Sequence, residues 1–174
     1  MKKVGLKSLV SLLVLGLFLV MAWGSSESSG VDTGSDKLNQ DSKKPEKEAK
    51  IVAVNKFFTV NDLEITLGEI KIESKKIFVG MTLRNNSKAK LTFYPDQGCA
   101  VVGNVQLDAN MFMTEGKLSG DILAEVQKSG VIAFTTDTVL NPQEVKQIIF
   151  DFGSVYHESW EVAAKEAKIT IDLP

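Results

Sequence analysis

The residues able to do chemistry in this chain are few and scattered. His157 is its single histidine and Cys99 its single cysteine. A zinc site built on several histidines, a two-histidine relay and an internal disulfide are therefore excluded. Glu158 could orient the His157 ring as a general base, but no Gly-x-Ser-x-Gly elbow supplies a nucleophile, so His157 is expected at the surface or packed in a loop. Cys99 lies inside a β-rich run and is expected as a small buried hydrophobe; the alternative is a reactive thiol or a disulfide-linked dimer. Asp32, Asp36 and Asp41 lack the Asp-x-Asp-x-Asp-Gly spacing of a calcium loop. Asp108, Glu115 and Asp121 could meet around an ion, solvated loop acids being the plainer expectation. Gly98, Gly103, Gly116 and Gly120 form no phosphate-cradling pattern. Asn85-Asn86-Ser87 has the form of a glycosylation acceptor, which matters only in a eukaryotic source. The expectation is a protein with no catalytic residue, no cofactor and no metal ligand.

Charge narrows the partners. The 174 residues carry 20 basic and 22 acidic side chains, so no basic field favours nucleic acid. At the amino terminus Lys2, Lys3 and Lys7 precede an apolar run from Leu9 to Met21, interrupted by Ser11 and Gly16. That run falls short of the roughly 20 apolar residues a membrane span needs. With small residues at Val20-Met21-Ala22, it reads as an export signal over 1–22, cleaved between Ala22 and Trp23. Without that segment the chain keeps 17 basic against 22 acidic residues, a net charge of −5.

Residues 23–50 change character. Ser, Gly, Asp and Lys dominate, Pro45 sits within Lys43-Lys44-Pro45-Glu46-Lys47-Glu48, and apolar side chains are nearly absent. Nothing there offsets the entropy of ordering, so the segment is expected to be a disordered tether.

From residue 51 to 174 a folded domain is expected. Ile77, Val79, Met81 and Leu83 are apolar at every second position, and Leu91 and Phe93 continue the pattern beyond a polar interval. Period two predicts strands with one face in a core, and Asn85-Asn86-Ser87 between them predicts a hairpin turn. Leu63, Ile65 and Leu67 alternate too, but Ile70 and Ile72 take the opposite parity, which predicts a bulge at Gly68. Gly103-Asn104 between two apolar runs predicts a tight hairpin. Asn141-Pro142-Gln143-Glu144 predicts a turn before a strand holding Ile148, Phe150 and Phe152, and good helix formers predict a short helix near 158–167. Residues 108–125 show no clear period. Strands this short, with turns this close, predict a mainly β, antiparallel, immunoglobulin-like β-sandwich of about seven to nine strands.

Two resemblances refine this. Val20-Met21-Ala22 followed by Gly24-Ser25-Ser26 resembles the lipobox of bacterial lipoproteins, with Trp23 in place of the cysteine that receives the lipid. Trp23 cannot be acylated, so membrane association would require an uncleaved signal. Arg84-Asn85-Asn86-Ser87, Ser129-Gly130-Val131-Ile132-Ala133-Phe134 and Val145-Lys146-Gln147-Ile148-Ile149-Phe150-Asp151-Phe152, behind a signal and stalk, resemble the telokin-like, immunoglobulin-like domain of Gram-positive lipoproteins. The resemblance covers roughly residues 56–173. It implies a sandwich outside the cell membrane and brings no catalytic or ligand residues.

The expected function is that of an exported, cell-envelope binding module, a monomer meeting an unknown envelope or extracellular protein. Phe57, Phe58, Tyr94, Phe112, Tyr156 and Trp160 are the aromatics able to anchor such a contact if exposed. The alternatives are an exported carboxylate- or metal-dependent hydrolase, or a structural spacer in an envelope assembly.

Overall fold

Alternating apolar side chains draw residue after residue into strands. The structure, a computed structural model, describes residues 48–174. The expected signal, its cleavage position at Ala22 and Trp23, and the tether up to residue 47 lie outside the described residues. The strands are β1 (Lys50–Val60), β2 (Leu63–Ile72), β3 (Lys76–Asn85), β4 (Leu91–Phe93), β5 (Cys99–Val102), β6 (Val105–Ala109), β7 (Gly120–Ile122), β8 (Gln127–Thr135), β9 (Gln147–His157) and β10 (Lys165–Asp172). Every pairing is antiparallel, in the order β1-β2-β3-β8-β6-β5-β9-β4-β7, with β10 on β9. Among the described residues there are ten strands, where about seven to nine were expected.

Among the described residues the helical structure is two 3-10 turns, Pro95–Gln97 and Pro142–Glu144, the second where Asn141-Pro142 predicts a turn. No helix there is long and apolar enough to cross a membrane. The helix expected near 158–167 is absent: residues 158–164 form a turn and β10 starts at Lys165. Every residue from Trp160 to Glu166 is exposed, so a helix would have had no apolar stripe to bury. Propensity alone does not hold one.

Turn chemistry fixes the hairpins. Asn61 and Asp62 both adopt positive φ, 46° and 63°, which a two-residue loop between Val60 and Leu63 requires, and Asn and Asp tolerate it best among non-glycine residues. Gly103 (φ 59°) turns β5 into β6. The predicted bulge is present: Leu67 pairs with Met81 and Ile70 with Val79, leaving Gly68 and Glu69 opposite Gly80. The extra residue returns Ile70 and Ile72 to the inner face, where both are fully buried with Leu63, Ile65 and Leu67.

The hairpin expected across residues 76–94 does not form. β3 pairs with β2 and β8, whereas β4 pairs with β7 and β9. The polar interval is a corner between two regions of the sheet, and Asn85 braces it from inside. Its buried amide donates to the carbonyls of Ala89 (2.8 Å), Ile122 (3.0 Å) and Leu123 (3.1 Å), while its Oδ1 accepts from Ser87 N (2.9 Å) and Ser87 Oγ (2.7 Å). Asn85 is fully buried, so the glycosylation acceptor is closed in the fold.

β9 joins the regions. One edge pairs with β10; the other pairs first with β5, through Ile149, Phe150 and Asp151, and then with β4, through Tyr156 and His157. Gly153 (φ 82°) lies at the changeover, beside a register shift against β10. The ring of Phe134 on β8 meets those of Phe150 and Phe152 on β9, at 5.6 and 6.2 Å between centroids. β6 and β5 separate these strands in the hydrogen-bonded order. The rings therefore meet across the interior, and the sheet folds over onto one core.

Candidate interaction surface

The short strand β4 aims its residues to opposite sides. Leu91 and Phe93 are fully buried, which turns Lys90, Thr92 and Tyr94 to the outer face. Thr92 pairs with Asp121 of β7 on one side and Tyr156 of β9 on the other, so Asp121, Thr92 and Tyr156 form a row across three strands. Tyr94 follows Thr92 by two residues, where the chain leaves β4 and enters the 3-10 turn Pro95–Gln97. Tyr94 is 43% exposed and Tyr156 52%.

A polar network orders this face. Thr92 Oγ1 donates to Asp121 Oδ1 at 2.7 Å, and Lys90 Nζ to Asp121 Oδ2 at 3.0 Å. These two bonds, that from Thr92 foremost, hold the Asp121 carboxyl below its ordinary range. The bond to Asp121 raises Lys90 in turn, with the charges of Glu158 and Tyr94 adding to it. Lys128 completes the cationic side: its Nζ donates to Ser119 O at 3.1 Å, and burial lowers it.

The other aromatics divide. Trp160 stands 91% exposed in the link between β9 and β10, and Phe112 stands 94% exposed between β6 and β7. Phe57 is exposed on β1, where it pairs with Thr66. Phe58 points the other way and packs against the core, so it leaves the set of contact residues. Strand pairing sets Tyr156 opposite Thr92, and Tyr94 is exposed just beyond the end of β4.

The remaining candidates stay apart. His157 turns away from Tyr156; its Nδ1 accepts from Ser159 N at 2.9 Å, and it lines a hollow of about 390 Å³ with Thr59, Asn61, Asp62, Val162 and Lys165. Asp108 shares a hollow of about 440 Å³ with Gln106, Thr135, Thr136, Asp137 and Thr138. Glu115 borders one of about 310 Å³ with Glu69, Lys71, Phe78, Gly80 and Val131. Asp108, Glu115 and Asp121, read together from the sequence, thus occupy three separate places. Among the described residues no group of three or more His, Cys, Asp or Glu is gathered for a metal ion. Cys99 is half-buried rather than buried; desolvation raises its thiol, with Asp151 and Asp108 adding, which disfavours the nucleophilic thiolate.

Sequence reasoning named Tyr94 and Tyr156 but missed Lys90 and Thr92, and it took Asp121 for a loop acid. The alternation of Lys90, Thr92 and Tyr94 against Leu91 and Phe93 was the available signal. The pairing with β7 was not visible, since Gly120–Ile122 is too short to show a period.

No family model matches the chain, and neither does any curated protein sequence. Among solved structures it is similar to the crystal structure of a functionally unknown protein from Listeria monocytogenes EGD-e. The TM-score is 0.53 at 11% identity, over 74% of this chain and 88% of that one. A likeness at that identity is one of fold.

Proposed function

We propose that the chain is an exported cell-envelope protein whose β body is a non-catalytic binding module of lipoprotein type. On this reading the body is an immunoglobulin-like sandwich of the telokin-like kind, held away from the membrane by the 23–50 segment. Lys2, Lys3 and Lys7 ahead of the apolar run support export. The meeting of Phe134 with Phe150 and Phe152 across the interior supports two stacked layers.

One observation carries the binding reading. Tyr94 and Tyr156 are both exposed, Tyr156 opposite Thr92 and Tyr94 two residues after it, and Thr92 belongs to a hydrogen-bonded Lys90–Asp121–Thr92 network, so large amphipathic side chains flank polar groups already held in place. Aromatic anchors on a rigid scaffold are what recognition surfaces concentrate.

The test places a photo-crosslinking benzoylphenylalanine at position 156 of the full-length protein in its source cells, with the same residue at position 64 as control. A discrete adduct at 156 that is absent at 64 is expected. Equal labelling at the two positions, or none at 156, rejects the binding face. Fractionation of the same cells is expected to place the protein outside the cytoplasm; a purely cytoplasmic protein rejects export.

A further inference from the structure

The chemistry of the face also selects a ligand class, an inference that rests on the binding reading above. Tyr94 and Tyr156 offer apolar ring faces with a hydroxyl at each edge. Beside them the Asp121 carboxylate accepts from Thr92 and Lys90, two of its roughly four lone-pair sites. The Lys90 ammonium has three donors, and the Thr92 hydroxyl keeps its acceptor capacity while donating to Asp121. The row therefore holds unused donors and acceptors within one network. The four charged groups of this face, Lys90 and Lys128 against Asp121 and Glu158, cancel, so it presents no net field to a polyanion or a basic peptide.

A ligand suited to this row has flat C–H faces to lie on tyrosine and hydroxyls that both donate and accept. It carries no net charge. Sugars have these properties. The row from Asp121 to Tyr156 crosses two interstrand spacings, about 10 Å, along a sheet face whose tyrosines and Asp121 are exposed, which suits a continuing chain better than a single small molecule. We propose that this face binds a neutral glycan chain, the two tyrosines stacking on sugar rings while Lys90, Thr92 and Asp121 bond to hydroxyls.

Electrophoresis of the full-length protein through native gels containing glycol chitin, hydroxyethyl cellulose, xylan or mannan tests this, with heparin as the polyanion control. Retardation by at least one neutral polymer is expected. Raising the salt from about 0.05 to about 0.5 M should leave it unchanged, since screening acts on ion pairs. The double variant Tyr94→Ala, Tyr156→Ala should bind at least about tenfold more weakly, as loss of anchoring aromatics implies. The double variant Tyr94→Phe, Tyr156→Phe keeps the rings and should retain most of the binding.

Passage unretarded through all four neutral gels, or equal retardation of the alanine variant, overturns the glycan assignment. A protein adduct at position 156 combined with unretarded passage leaves a binding face with the wrong ligand class. Loss of both signals removes the face itself.

Discussion

Asp121 shows how far one side chain depends on its neighbours. Its carboxylate takes a hydrogen bond from Thr92 and another from Lys90, and both favour the charged form. The folded protein thus holds this proton more weakly than the unfolded chain does. A depressed carboxylate adds stability above its unfolded value, near 4, and loses it as pH falls through the folded value. The side chain is exposed and screened, so the contribution to stability is small. The titration midpoint is the better readout. Carbon-detected NMR should find Asp121 titrating below the ordinary aspartate range, and Thr92→Val should move it upward, because the bond from Thr92 is gone. A midpoint unmoved in Thr92→Val would mean the network does not set the ionisation of this face. Sequence reading could mark Asp121 as an acid but could not assign it a partner, since Thr92 and Lys90 reach it only through strand pairing.

At the scale of elements, alternation shows where strands lie and not which strands pair. The inward series Ile77, Val79, Met81, Leu83 was legible from its period, and its next member is Asn85. A polar residue in a core position must be satisfied, and Asn85 bonds to the corner 86–90 and to Ile122 and Leu123 at the end of β7. That brace is what parts β3 from β4 where a hairpin was expected. The bulge at Gly68 and the turn at Gly103-Asn104 were legible because each is a local requirement, of parity or of positive φ. The corner was not, because its partners Ile122 and Leu123 lie far along the chain. Asn85→Asp removes three donated bonds and sets a carboxylate against three carbonyl oxygens. The expected cost at neutral pH is about 3 kcal/mol or more, from lost bonds and an uncompensated buried charge. The folded pKa of the new carboxyl should be raised, so the deficit should shrink as pH falls toward it. Urea unfolding at two pH values checks both; a loss below about 0.5 kcal/mol, the range of ordinary surface changes, would mean that the corner stands without its brace.

For the whole molecule, the distribution of contacts makes some regions open more readily than others. β1, β7 and β10 each pair along one side only, and side chains tie the ends of β1 to other parts of the fold. Lys50 Nζ donates to Val145 O (3.0 Å) and Pro174 O (2.7 Å), and Asn61 Nδ2 to Val155 O (3.1 Å) and Ala163 O (2.9 Å). The interior is anchored differently, by Phe134, Phe150 and Phe152; the burial of Phe150 and Phe152 was legible from alternation and that of Phe134 from its continuous apolar run, while their meeting across the core was not. Two substitutions separate these supports. Asn61→Gly keeps the positive φ of the turn and removes only the amide, so it should cost about 1–2 kcal/mol. Amide exchange should then quicken at the ends of β1, β9 and β10 while the strands around Phe134 stay protected. Phe134→Ala opens the centre and should cost about 3–5 kcal/mol, with exchange rising in every strand. If Asn61→Gly raised exchange uniformly instead, the tie would belong to the same cooperative unit as the aromatic core. The edge strands could then not open separately, and a sheet face carried by β4, β7 and β9 would gain its rigidity from the whole array rather than from the strands beneath it.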